Sequence, residues 1–347
     1  MYQEIWAMME RAVEDGVCPS AALAIGRSSG LLASGCFGKL DEEGHCPDET
    51  TLYDLASLTK VTATTMIALR LVEQGVIRLA DRVGDFFPGT LVDKREITLE
   101  QLLTHTGGFP AHFFLWDEAS SGARAAEAIL AHPLAAAPGS TVIYSCMGFI
   151  LLGKILEKAA GMPLDQLAAH LVFEPLGMQD TGFCPNGANL APTERNPASG
   201  QWLRGQVHDE NARFMDGVAG NAGLFSSLRD MSRFGQMLAG GGSLEGRRFL
   251  SPALFRAMLR CRTEGMNQRR ALGFQLSGQD AAFMGDLVSP LAFGHTGFTG
   301  TSLLVEPEQD LYVVLLTNRV HPTRENQRLL RFRSLLHNRI LATEEGV

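Results

Sequence analysis

Strand-like segments lie at both ends of this sequence, and the stretch between them is built for helices. Ser20–Arg27 (SAALAIGR) and Leu31–Gly38 (LLASGCFG) read as two strands joined by the turn Ser28-Ser29-Gly30. Far downstream, Ala271–Leu276, Thr301–Val305 and Leu311–Thr317 return to strand patterns. Between them, helical spacing runs over Leu58–Gln74, stopped at Gly75, and again over Leu99–Leu103, Ala123–Ala131, Met147–Ala160 and Leu164–Leu171. A further helix, Leu228–Leu238, ends at Gly240-Gly241-Gly242. Met1–Asp15, with Ile5, Met8, Met9 and Val13 on one face, and a segment from about Arg324 to Leu341 supply terminal helices. The economical solution is an α+β architecture. One antiparallel sheet drawn from both chain ends is covered by the terminal helices, with a mostly helical subdomain inserted. No repeat or flexible linker divides the chain, so 1–347 reads as one domain. Its α/β part covers about 1–56 and 216–347, and its helical part about 57–215.

The chain is long enough, at 347 residues, to bury a substantial core. A net charge of -8 without any Lys/Arg cluster excludes a nucleic-acid partner. No apolar run reaches the roughly 20 residues of a membrane span, and the first residues lack a signal peptide's basic start and apolar core. The expectation is a soluble, cytoplasmic protein with no membrane partner. Six scattered cysteines without C-x-x-C spacing read as free thiols, several of them buried. His105 and His208 stand in no H-x-x-x-H or H-x-x-E-H spacing, so they read as structural or supporting residues, with no metal and no cofactor expected. A metallohydrolase is the rival that chelation tests.

Lysine is rare here, five residues against 25 arginines, which gives weight to where Lys60 falls. In Leu55-Ala56-Ser57-Leu58-Thr59-Lys60, Ser57 opens a helix and Lys60 follows at i+3 on the same face. That face continues through Ala63, Thr64, Ile67 and Leu71, and an amine aimed into apolar surroundings loses its proton more easily. A neutral amine beside a hydroxyl is a general base beside a nucleophile. The bland alternative is a Ser57 helix cap with Lys60 reaching solvent.

Two further segments carry chemistry. Pro138–Ser145 brings Tyr144 to a helix start, where it serves as an acid/base or simply packs with its hydroxyl bonded. Phe293–Gly300 (FGHTGFTG) precedes an apolar strand, and its glycines allow a ligand close to a strand edge. His295 and Thr296 then contact a substrate carboxylate or move protons, unless the segment is only a Gly-rich strand entry. Asn221–Phe225 is a small-residue loop that lines the cleft or only prepares the next helix.

Taken in order, these segments resemble the β-lactamase and penicillin-binding-protein family of serine hydrolases, in its class C β-lactamase, D-Ala-D-Ala carboxypeptidase and esterase branch. Leu102–Pro110, Pro175–Met178 and Gly220–Ser226 extend the resemblance over nearly the whole chain. It implies the β-lactamase/transpeptidase-like fold and a metal-independent acyl-enzyme on Ser57 with Lys60 as base. It further implies Tyr144 as proton shuttle, His295-Thr296-Gly297 as the substrate-binding K/H-T-G, and an oxyanion hole from the backbone N–H groups of Ser57 and Phe298. One position departs: the family's Y-x-N reads Tyr144-Ser145-Cys146. Loss of that amide-reading asparagine moves weight towards small acyl esters, with amides, D-amino-acid peptides or β-lactams second. A penicillin-binding module that is acylated without turnover is the non-enzymatic rival.

Overall fold

The computed structural model describes residues 2–344. Six strands form the main sheet: β1 Ser20–Arg27, β2 Gly30–Gly38, β3 Gln275–Leu276, β4 Phe293–Thr296, β5 Ser302–Glu306 and β6 Leu311–Thr317. Their order across the sheet is β2-β1-β6-β5-β4-β3, antiparallel throughout. Strands from the two chain ends therefore meet at the β1–β6 pairing, where Leu23 faces Leu315 and Ala24 faces Val314.

Both faces of this sheet are covered. On one, Ile5 and Met9 of α1 (Gln3–Glu14) and Leu329, Leu336 and Ile340 of the C-terminal helix (Arg328–Glu344) pack on Leu23, Ile25, Val313 and Leu315. On the other, Ala22, Ala24, Val314 and Leu316 meet Met231 and Phe234 of the helix Leu228–Ala239 and the core of the helical block. Because β6 is buried on both sides, all seven of its residues are buried, and its sequence LYVVLLT is a continuous apolar run rather than an alternating one.

The inserted block contains α2 (Thr65–Glu73) and α3 (Cys146–Ala160). Ser145 caps α3, its Oγ accepting from Gly148 N–H at 3.1 Å, and Gly161 closes it in the left-handed region. We number the helix Leu228–Ala239 α4 and the C-terminal helix α5. No helix among the described residues is long and apolar enough to cross a membrane.

The boundaries correct several expectations. The segment ahead of α2 is a π-helical turn, Lys60–Thr64, and not α-helix from Ser57. Phe293–Thr296 is itself a strand, and only Gln275–Leu276 of the expected Ala271–Leu276 pairs. A three-stranded sheet of Tyr53–Asp54, Leu224–Ser226 and Gly182–Phe183 escaped the sequence, because two- and three-residue strands carry no periodicity. All six cysteines are free, but only Cys18 is fully buried.

Candidate active site

The small sheet aims the chain into Ser57. Tyr53–Asp54 pairs with Phe225–Ser226, and Leu55 N–H donates to Leu224 O at 2.9 Å before the chain turns. The buried Asp54 carboxylate accepts from the N–H groups of Ala56 at 2.8 Å and His208 at 2.6 Å. Burial pushes the Asp54 pKa up, and these two bonds pull against it. Ala56 is held at φ +46°, a region that alanine rarely adopts and that only surrounding bonds sustain. This strained turn presents Ser57 at the cleft one residue ahead of the helical segment.

Lys60 is fully buried behind it. Its Nζ donates to Ser57 Oγ at 3.0 Å and Asn221 O at 3.0 Å, and lies 3.6 Å from Cys146 Sγ. The π-turn is pinned to the 220–224 loop, since Thr64 Oγ1 donates to Gly220 O and Thr59 Oγ1 accepts from Leu224 N–H. Such turns often mark functional sites. Burial alone lowers the lysine pKa, as its apolar face foretold. The neighbouring Cys146 and Tyr144 outweigh burial, and the net direction for Lys60 is upward.

Tyr144 sits among cations. Lys60 Nζ is 5.1 Å and the Arg270 guanidinium 5.4 Å from its ring centroid. His105 packs on the other side with ring centroids 4.6 Å apart, and its Nδ1 accepts from Ser145 N–H at 3.1 Å. His105 is itself buried at φ +59°, so the LTHTGG segment serves to fix the tyrosine's backbone. Arg270 is buried with Gln268 Oε1 as its side-chain partner, and its Nη1 has none.

β4 lies one strand in from the sheet edge. The two-residue β3 covers only Phe293 and Gly294, which leaves the His295–Thr296 end open on that side. Burial, then the charges of Arg270 and Lys60, push the His295 pKa down to about 3. The ring is therefore neutral near pH 7. Its Nδ1 lies 2.8 Å from Thr296 O, which can only accept, so the proton sits on Nδ1 and Nε2 is a buried, unpartnered acceptor. A neutral acceptor does not bind a carboxylate as the lysine of K-T-G would, and a ring this reluctant to take a proton is suited to accepting a hydrogen bond from a ligand.

Past Thr296 the chain folds back on the Ser57 turn. Thr299 Oγ1 donates to Asp54 O at 2.6 Å and Thr301 Oγ1 to Leu55 O at 3.0 Å. A Cβ on Gly297 would stand 2.4 Å from Leu55 O, so only glycine permits this approach. Among the described residues, neither Ser57 N–H nor Phe298 N–H donates to a protein acceptor. Both are free for a ligand.

These groups line one cleft of about 640 Å³. It gathers Ser57, Tyr144, His295, Thr296, Gly297 and Phe298, with Lys60 behind Ser57. His208 also lines it, bonded to Glu194 Oε2 at 2.7 Å and stacked on the Phe298 ring. The Asn221–Phe225 loop, one of two readings of which had it lining the cleft, does so through Ala222, and its Asn221 carbonyl holds Lys60. Asp54, behind the Ser57 turn, was not singled out, and the arginines 270, 319 and 333 were invisible to sequence reasoning. Nothing in their spacing sets them apart, and long-range packing alone brings them to the cleft. The one three-residue group of metal-ligand type among the described residues, Asp41, Glu43 and His45, lies on the 41–50 surface loop.

The family model for beta-lactamase matches residues 6–338. A relative from Escherichia coli K12 named "Putative D-alanyl-D-alanine carboxypeptidase" is 33% identical over 304 residues, covering 78% of this chain and 70% of its own. One from Bacillus subtilis 168 named "N-acetylmuramyl-L-alanine amidase" is 31% identical, covering 90% of this chain and 80% of its own. In fold, the penicillin-binding protein homologue from Pyrococcus abyssi superposes with a TM-score of 0.78 at 20% identity, over 99% of this chain and 77% of that one. With a family match spanning both the Ser57 turn and the open strand end, this chain belongs to the beta-lactamase family and is a serine hydrolase.

Proposed function

We propose that the protein hydrolyses small acyl esters through an acyl-enzyme on Ser57. The observation that carries this is the 3.0 Å contact of Lys60 Nζ with Ser57 Oγ, inside a cleft that Tyr144 also lines. Ser57 Oγ attacks the acyl carbonyl and gives up its proton to the Lys60–Tyr144 pair. The Ser57 and Phe298 N–H groups take the developing oxyanion. Tyr144 passes the proton to the departing alkoxide and later draws one from the deacylating water. Lys60 and Arg270 stabilise negative charge that builds on its phenol oxygen, and His295 Nε2 accepts a hydrogen bond at the open strand end. Cys146 favours esters because a thiol replaces the side chain that would read a substrate amide.

A second reading, amide hydrolysis, is supported by the names of the two relatives, one a carboxypeptidase and one an amidase. Rates on p-nitrophenyl esters, D-amino-acid p-nitroanilides and nitrocefin rank the two. For the mechanism itself, Ser57→Ala should abolish both ester turnover and labelling by a serine-directed phosphonate. Undiminished labelling of that variant removes Ser57 from the mechanism. Release of one equivalent followed by silence would make the protein an acylated binder.

A further inference from the structure

The cleft is lined by four guanidinium groups, Arg270, Arg319, Arg324 and Arg333, and two carboxylates, Asp209 and Glu210. Arg324 is neutralised by Glu194 and Glu210, and Asp209 caps a short helix through Ala212 N–H. Arg270 lies over Tyr144 and beside His295, within the proposed machinery. Arg319 and Arg333 are left over. Both are almost wholly buried, at 5% and 2% exposure, and neither forms a salt bridge with any described carboxylate. Arg319 Nη1 donates to the carbonyls of Arg324 and Asn326, and Arg333 Nη2 to those of Gly300 and Thr301. Arg333 Nε is buried with no partner.

These two side chains converge on Gly300. Arg333 bonds its carbonyl, and a Cβ on Gly300 would sit 2.9 Å from Arg319 Cγ. The half-exposed Phe298 ring covers Arg319, with 4.9 Å between the guanidinium and the ring centroid. Two like charges thus share a buried corner whose direct partners are neutral carbonyls and a ring, and the one carboxylate that acts on Arg319 from a distance, Glu194, is already bonded to Arg324 and His208. Burial, then the charge of Arg319, lowers the Arg333 pKa to about 10, the direction of an uncompensated pair. Carbonyl bonds satisfy N–H groups but do not neutralise charge, and buried charges without counter-ions are costly. A site that retains such a pair at the edge of a substrate cleft is suited to an anion supplied from outside.

We propose that Arg319 and Arg333 form a subsite, beneath Phe298, that binds a carboxylate of the substrate. It is separate from the His295–Gly297 segment, whose neutral histidine brings no charge. The substrate class is then an acyl compound carrying a carboxylate away from the scissile carbonyl. This rests on the hydrolase reading above for the identity of the scissile bond, but not for binding itself.

Binding is therefore measured first on Ser57→Ala protein, by calorimetric titration with glutarate, its neutral analogue glutaramide, and inorganic phosphate. Glutarate should bind at least about tenfold more tightly than glutaramide, and that preference should vanish in Arg319→Gln and in Arg333→Gln. Arg333→Lys, which keeps a charge but not the fork, should recover part of it. Equal binding of glutarate and glutaramide overturns the subsite, and tighter binding of phosphate overturns the carboxylate assignment. In the active enzyme, kcat/KM for the p-nitrophenyl half-ester of glutarate is compared with that for p-nitrophenyl acetate. The ratio should fall about tenfold in Arg319→Gln. A ratio equal to that of the parent enzyme means that the arginines only hold the Phe298–Gly300 turn in place. Because Arg319 makes none of the turn's bonds, its variant keeps the test open if Arg333→Gln does not fold.

Discussion

Gly297→Ala tests the oxyanion geometry with one methyl group. The new Cβ would lie 2.4 Å from Leu55 O, where ordinary contact needs 3.4 Å or more. The Thr301 hydroxyl is also in the way, but a side chain can rotate; Leu55 O is backbone, held two residues before Ser57 by the small sheet. The turn and the nucleophile strand must therefore separate by about 1 Å, carrying Phe298 N–H away from Ser57 N–H. A misplacement of about 1 Å costs about a hundredfold, and loss of one oxyanion donor about a hundred- to a thousandfold in kcat. The expected result is a kcat on p-nitrophenyl acetate lowered by about two orders of magnitude, with KM changed little and Ser57 still labelled slowly. Thermal unfolding is measured in parallel, since lifting the turn also strains the Thr301–Leu55 bond. A variant with parental kcat would refute the reasoning: either the turn yields freely, or Phe298 N–H takes no part.

Tyr144→Phe should fold normally and lose about a hundredfold or more of kcat, and parental rates would show that the ring only packs between His105 and Arg270. Cys146→Asn restores an amide beside Lys60, so the nitrocefin-to-ester rate ratio should rise about tenfold; an unchanged ratio would separate Cys146 from substrate choice. Three buried neutral histidines predict acid lability. Burial lowers His105 well below its usual value, and His295 and His337 to about 3. The unfolded chain, with histidine pKa near 6.5, takes up protons that the native state refuses, so stability is full above about pH 6.5 and drains as pH falls towards 3. Stability should therefore fall with pH through this window, measurable as a downward shift of the urea midpoint between pH 6 and 4.5. A midpoint that holds steady would mean these rings are hydrated.

The architecture was legible because its large elements have strong patterns. β1, β6, α3 and α4 fall within a residue or two of their expected limits, and the terminal helices cover the sheet as read. The S-x-x-K motif gave Ser57 and Lys60 as neighbours through helix spacing, yet the observed contact spans a strained turn and a π-turn. Sequence periodicity averages over such local departures. The electrostatics were less legible. Lys60 looked desolvated because its own helix face is apolar, while Tyr144 and Cys146 reach it from another segment. The arginines of the cleft arrive from three stretches that share no motif.

β6 is the last strand of the sheet along the chain and lies between β1 and β5. During synthesis, Ser57 leaves the ribosome long before its partners do. Until Leu311–Thr317 follows, no strand pairs the N-terminal hairpin with the strands that carry His295. The pairing that closes the sheet between its two chain ends is thus the last one the growing chain can make.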